Sequence, residues 1–244
     1  MRSGGRVINI FCVIAIAVNT DGHREVLGCD LVTTEDGVGW TAFLRGLVAR
    51  GLLGVRLVMS DAHYGLTDAI ASTLSGATWQ RCRTHFARNL LRKVPKASQD
   101  LVATAVRSIF AQPDKKSVLE QHAVVVGQLE IRFSEAAEML DGARDDILAF
   151  AVFPKEHWRQ IWSNNPLERL NREIRRRTDV VGIYPNRDAV MRLVGSVLAE
   201  QDDEWQVARR YMSLEPLAKA RLAVIEGGAV ETEKEVKELM PAAV

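Results

Sequence analysis

The sequence predicts an α/β protein with its strands gathered toward the N-terminal side and helices thereafter. Three observations support this class. Two apolar runs flank the turn-like "NTDGHR"; a third, in "GVRLVMSD", follows a glycine and sits between stretches of helical period; and strand signals cease after Ser98. With 244 residues, 47% hydrophobic and 26% charged, the chain has enough apolar surface to bury a core and is not a largely disordered polymer.

The first run is Ile8 to Val18, broken only by Asn9 and rich in β-branched residues, and "EVLGCDLV" after the turn supplies a hairpin partner. In "TTEDGVGWTAFLRGLVARGLLG", Thr33, Thr34, Glu35 and Asp36 offer a capped start. Trp40, Phe43, Leu44, Leu47 and Val48 recur at three and four residues, which marks an amphipathic helix. "GVRLVMSD" is of strand length, "GLTDAIASTL" is short and helical, "GATWQRC" suits one more short strand, and "RTHFARNLLRKV" is a helix stopped by Pro95. "DLVATAVRSIFAQ" and "KSVLEQHAVVVGQLEIRFSEAAEMLDGARDDILAF" form a helical block interrupted by Pro113. The turn-rich "FPKEHWRQIWSNNP" leads to the helix "LERLNREIRRR", with Asn165 as its expected cap and Pro166 as its first residue. Helices continue from Asn186 to about Ala220, and "GGAVETEKEVKELMPAAV" reads as a loosely attached, charged tail.

Thirty-two basic against thirty-one acidic residues leave a net charge of +1, so any surface for nucleic acid must be local. Cys12, Cys29 and Cys82 are odd in number and widely spaced, which suits a reducing cytoplasm better than a disulfide framework. The opening "MRSGGRVINIFCVIAIAVNTDG" imitates a secretion leader, with two arginines, an apolar run and Ala15-Ile16-Ala17; the hairpin partner downstream favours a strand instead. No stretch reaches the ~18 apolar residues of a membrane span.

Asp61 stands where the apolar run ends, and open α/β sheets place their ligands at the C-terminal edge of their strands. It is a candidate metal ligand, with a turn or capping role beside Gly65 as the plainer alternative. His63 and Tyr64 read as turn or packing groups. Phosphoryl transfer with two metals needs several carboxylates converging on the cations, so Asp61 requires partners. The helix in "NPLERLNREIRRR" carries Glu168 and Glu173 among Arg169, Arg172, Arg175, Arg176 and Arg177. Either these arginines hold phosphates beside a presented carboxylate, or the helix is a solvated one laced with Glu168–Arg172 and Glu173–Arg177 pairs. At about 100° per residue the two glutamates point about 140° apart, so one metal site is not expected to use both. A second basic segment holds Arg81, Arg83, Arg88, Arg92, Lys93 and Lys96 with no acid among them, and Trp79 and Phe86 as stacking or packing groups. Cys82 and His85 within it form C-x-x-H, half of a zinc site with no second pair at finger spacing.

Together, "SDAHYGLTDAI", "GATWQRCRTHFARNLL", "FAQPD", "HWRQIWSNNPLERLNREIRRRTDVVGIYPN" and "RLVGSVLAEQDDEW" closely resemble the Mutator-type bacterial insertion-sequence transposases, from Gly5 to about Leu217. The resemblance implies a DDE enzyme with an RNase H-like core: a mixed sheet, its first strand missing here, with an all-helical insertion and a helical C-terminal part. On that pattern residues 1–96 are the first part of the core, 97–152 the insertion, 153–217 the helical end of the core carrying the glutamate, and 218–244 a flexible charged tail. It makes Asp61 the second catalytic aspartate and Glu168 the catalytic glutamate, both ligands of a divalent metal, Mg²⁺. Cys82 and His85 become the family's C-x-x-H signature. DNA contacts fall to Arg81, Arg83, Arg88 and Arg92 and to Arg169, Arg172, Arg175, Arg176 and Arg177. The family's first aspartate lies on the first core strand, whereas no Asp precedes Asp21, which belongs to the "NTDG" turn.

The expectation is a truncated transposase core, related to enzymes that cleave and transfer DNA strands at an element's inverted repeats and inactive by itself. It is cytoplasmic and nucleoid-associated, with no membrane association. Its partners are DNA and either further copies of itself or full-length transposase. The alternative is a non-catalytic DNA-binding or oligomerising fragment that modulates full-length transposase. Loss of a first strand would leave an open sheet edge.

Overall fold

The structure, a computed structural model, describes residues 1–34 and 36–222. A small hairpin of β1 (Arg2–Ser3) and β2 (Arg6–Val7) opens the chain, and Gly4 and Gly5, at φ 54° and 76°, make its two-residue turn in a left-handed backbone that a Cβ would oppose. Two-residue strands carry no readable periodicity, so the sequence pattern does not announce them.

Strands β3 (Phe11–Val18) and β4 (Arg24–Val32) form the expected antiparallel hairpin, which starts three residues inside the apolar run. A bulge interrupts the ladder where Ala15 pairs with Gly28 but Ile16 pairs with Val26. Cys12, Ile14, Ile16 and Val26 pack into one core, and Val13, Ala15, Leu27 and Val32 into another. The hairpin is thus apolar on both faces, which is why its first strand reads as an unbroken apolar run and imitates a leader.

Helix α1 (Gly37–Ala49) is capped by Asp36, whose Oδ1 accepts the Gly39 N–H at 2.8 Å; Glu35 lies outside the described residues. Strand β5 (Leu57–Ser60), helix α2 (Tyr64–Thr73) and strand β6 (Thr78–Arg81) make a βαβ unit, with β5 and β6 parallel and Ser60 level with Arg81. Helices α1 and α2 meet so closely that a Cβ on Gly65 would stand 2.7 Å from the Gly37 nitrogen.

Helices α3 (Arg83–Leu91), α4 (Gln99–Ile109), α5 (Lys115–Glu130), α6 (Ser134–Gly142), α7 (Arg144–Leu148) and α8 (Trp158–Ile161) share one core. Phe150 lies at its centre, edge-on to Trp158 and Trp162 at centroid distances of 5.1 and 5.6 Å. Helices α9 (Asn165–Val181) and α10 (Arg187–Val207) cover one face of the β3–β4 hairpin, and α11 (Leu214–Leu222) follows. Asn164, not Asn165, precedes α9, so Asn165 and Pro166 are its first two residues and no side chain caps it. Residues 218–222, expected in the tail, complete α11; the rest of the expected tail lies outside the described residues.

Among the described residues the strands form three two-stranded sheets, not the one mixed sheet that the resemblance implies. Val13 of β3 and Val58 of β5 pack around the same core against α1 and α2. Side-chain packing therefore holds both strands with no ladder between them, and β3 and β5 each keep one edge unpaired among the described residues. None of the described helices is long and apolar enough to cross a membrane.

Candidate active site

Because β5 and β6 are parallel and in register, the residues that follow them, Asp61 and Cys82, leave the sheet side by side. The Cys82 N–H donates to the Ser60 carbonyl at 2.8 Å, and the Asp61 carbonyl accepts from the His63 N–H at 3.0 Å and the Ser60 hydroxyl at 2.9 Å. Helix α3 starts directly after Cys82, so His85, in its first turn, faces back over the strand ends. Its Nδ1 lies 2.5 Å from Oδ1 of Asp61, and its Nε2 lies 3.3 Å from Oε1 of Glu168. The imidazole stands between two carboxylates that are far apart in sequence.

Glu168 reaches this point because the N-terminus of α9 is tied to α3. The Cys82 thiol donates to Oδ1 of Asn164 at 3.0 Å, the Arg83 N–H donates to the Trp162 carbonyl at 2.8 Å, and the Glu168 N–H closes the first helical turn on the Asn164 carbonyl. Glu173 points elsewhere, as helical phase requires: Arg176 and Arg177 both donate to its carboxylate. Of the two pairs expected on α9, Glu173–Arg177 forms at 2.9 Å, and no Glu168–Arg172 pair forms among the described residues.

Burial raises the Asp61 carboxyl, and the neighbouring Glu168 raises it further, against the lowering influence of His85, Arg88 and Arg81. Burial likewise pushes the Cys82 thiol up, with backbone N–H groups opposing. The contacts to the two carboxylates are not aligned as hydrogen bonds, so Nδ1 of His85 and Oε1 of Glu168 are buried polar atoms without a hydrogen-bond partner. Ligand atoms of Asp61, Cys82 and His85 lie within 4.8 Å of one another. Cys82 is fully buried, and its proton is committed to Asn164. That leaves the Asp61 carboxylate and the His85 imidazole as the ready donors of this group.

The profile of the family described as "Transposase, Mutator family" matches residues 1–208. The chain belongs to the Mutator family of transposases. Curated relatives include the transposase for insertion sequence element IS1081 of Mycobacterium tuberculosis, 57% identical over 92% of this chain and 54% of that protein. The transposase for IS406 of Burkholderia multivorans is 37% identical over 88% of this chain and 56% of its own length. That for IS256 in transposon Tn4001 of Staphylococcus aureus is 36% identical over the same shares. This Mutator-family chain spans about half the length of the curated relatives it matches.

His85 approaches both carboxylates, and Cys82 is tied to the start of α9 through Asn164. The basic residues divide. Arg81 and Arg88 act on the Asp61 charge. The Arg83 guanidinium packs on Trp162 at 4.2 Å and on Phe110 at 4.8 Å, beside the site. Arg92 is exposed near Asn89. On α9, Arg176 and Arg177 are engaged by Glu173 and Glu200, and Arg169, Arg172 and Arg175 are exposed. His63 lies near Trp40, whereas Tyr64 is 90% exposed and packs on nothing central. Asp21 sits in the β3–β4 turn, where its carbonyl accepts from Arg210. Asn164 is the residue that sequence reasoning missed, since nothing local distinguishes it from any asparagine before a helix.

Proposed function

We propose that this chain carries part of the catalytic core of an insertion-sequence DNA transposase of the DDE type, with Asp61 and Glu168 as two of its carboxylates. The observation that carries this is the convergence of Asp61 and Glu168 on the two nitrogens of His85. In this reading the β3–β4 hairpin and the β5–β6 pair are strands of an RNase H-like core, residues 97–152 are its helical insertion, and the unpaired edges of β3 and β5 face the place of a further strand.

Asp61 and Glu168 would hold the divalent metal, Mg²⁺, which when bound activates the attacking oxygen and stabilises the leaving oxygen of a phosphodiester. His85 stands between the two carboxylates. Arg81 and Arg88 place positive charge near Asp61, which favours the approach of a DNA phosphate. Such a core works on DNA at an element's inverted repeats, in a cytoplasmic, nucleoid-associated setting and as an oligomer.

Titration calorimetry with Mg²⁺ and Mn²⁺ tests the metal site. Asp61→Asn and Glu168→Gln are each expected to abolish binding by the 244-residue chain, whereas Glu173→Gln leaves it intact. Equal binding by all three variants would refute the assignment. A second reading is favoured by one observation: among the described residues the group of side chains close enough to share a metal is Asp61, Cys82 and His85, with Asp61 its one carboxylate and Glu168 outside it. In that case the chain is a non-catalytic partner that binds DNA or full-length transposase and modulates it. Strand cleavage by this chain alone, lost in Asp61→Asn, would rule the second reading out.

A further inference from the structure

Helix α9 has a second working face. One residue beyond Glu168, Arg169 turns away from the carboxylate pair toward a cavity of about 540 Å³, whose wall also includes Arg24, Arg159, Trp205 and Tyr211. The Arg24 guanidinium lies between two aromatic rings, 4.5 Å from the Trp205 centroid and 4.6 Å from that of Tyr211. Tyr211 is held there because its N–H donates to the Gly22 carbonyl at 2.8 Å; Gly22 has φ +79°, and a Cβ on it would collide with the Met212 carbonyl.

This arrangement keeps charge available. Aromatic faces hold a cation in place without neutralising it, as a carboxylate would. None of Arg24, Arg159 and Arg169 forms a salt bridge among the described residues. The one carboxylate on the wall, Glu204, accepts from the Gln201 amide at 2.8 Å. Arg24 bears the cost of burial and the repulsion of Arg169, and an anion between them relieves both.

We propose that this cavity is a phosphodiester subsite, in which Arg24, Arg159 and Arg169 hold a backbone phosphate of a nucleic-acid strand beside the Asp61–Glu168 pair. The proposal rests on the DNA reading above and adds where the strand is gripped. A polymer is favoured over a free phosphate because positive charge continues past the cavity: Arg172, exposed and about one turn beyond Arg169 on α9, forms no salt bridge among the described residues. A repeating row of charge matches a repeating anion.

The test is fluorescence anisotropy of a 5′-labelled DNA duplex and of its single strand, over a salt series, with the 244-residue chain. Arg159→Gln with Arg169→Gln removes two exposed charges without threatening the core; Arg24→Gln removes the third. Arg107→Gln with Arg132→Gln, exposed on the helical block, is the control. The double cavity variant is expected to weaken binding about tenfold or more and to flatten the slope of log affinity against log salt by about one to two, with the control unchanged. Arg24→Gln is expected to weaken binding in the same sense. If the cavity variants behave like the control while the parent binds DNA, the subsite is overturned and the DNA reading stands. If the parent shows no salt-dependent binding to either strand form, the DNA reading falls and takes the subsite with it. Calorimetry with inorganic phosphate separates the sources: tight binding that is lost in the cavity variants would overturn the assignment to a strand.

Discussion

Gln80 offers the sharpest test of how the site's floor is joined to the helical block. It is fully buried on β6; its amide donates to the Arg81 carbonyl at 2.8 Å and the Ile147 carbonyl at 3.0 Å, and its Oε1 accepts the Phe150 N–H at 2.7 Å. Ile147 lies near the end of α7, where carbonyls have lost their helical partners, so Gln80 satisfies what the chain cannot. Gln80→Leu keeps the volume but strands both the Ile147 carbonyl and the Phe150 N–H. Two buried main-chain groups left unpaired cost ~1–3 kcal/mol each, and the leucine returns about 1–2 kcal/mol through apolar burial. The net loss is about 0–5 kcal/mol, ~2.5 kcal/mol at the midpoints, a large share of the ~5–15 kcal/mol that a domain has to spare. Urea titration followed by circular dichroism measures it, and hydrogen exchange at the Phe150 amide shows whether the loss is local. An unchanged unfolding free energy, within about 0.5 kcal/mol, together with a still protected Phe150 amide, would refute the reasoning.

Two glycines make a matched pair. Gly65→Ala forces a Cβ to within 2.7 Å of the Gly37 nitrogen and 2.8 Å of its Cα and is expected to cost ~1–3 kcal/mol. Gly46→Ala, in open space on α1, is expected to stabilise by about 0.5–1 kcal/mol, and thermal melts that rank the two the other way would sink the packing of α1 on α2. The Glu173 carboxyl is held at about 2, chiefly by hydrogen bonds from Arg176 and Arg177, against an ordinary value of 4.5. Its contribution is complete above about pH 4.5 and is lost as pH falls toward 2, so melting curves of the parent and Glu173→Gln should converge over that interval and also at high salt. Burial raises all three thiols, Cys12 to about 12, so alkylation near neutral pH should await unfolding; rapid labelling of the native chain at Cys12 or Cys82 would contradict their packing.

The sequence by itself determined the local structure, because short-range periodicity and caps leave their mark in neighbouring residues. The β3–β4 hairpin, the Asp36 cap, Asp61 at the end of β5, the short strand at "TWQR" and the run of helices after Ser98 were all legible in this way. So was the opposed direction of Glu168 and Glu173, since a fixed rotation per residue decides it. The family, too, was readable from the order of its motifs. What tertiary structure alone decided was which distant groups meet. The two-sided burial of the hairpin, His85 between Asp61 and Glu168, the Cys82–Asn164 tie that sets their spacing, Arg83 against Trp162, and Arg24 between Trp205 and Tyr211 each depend on residues whose separation in sequence carries no periodic signal. The same holds for the sheets: strand character is written locally, but whether two strands share a ladder depends on what packs between and around them, and here side chains hold β3 and β5 around one core with no ladder between them.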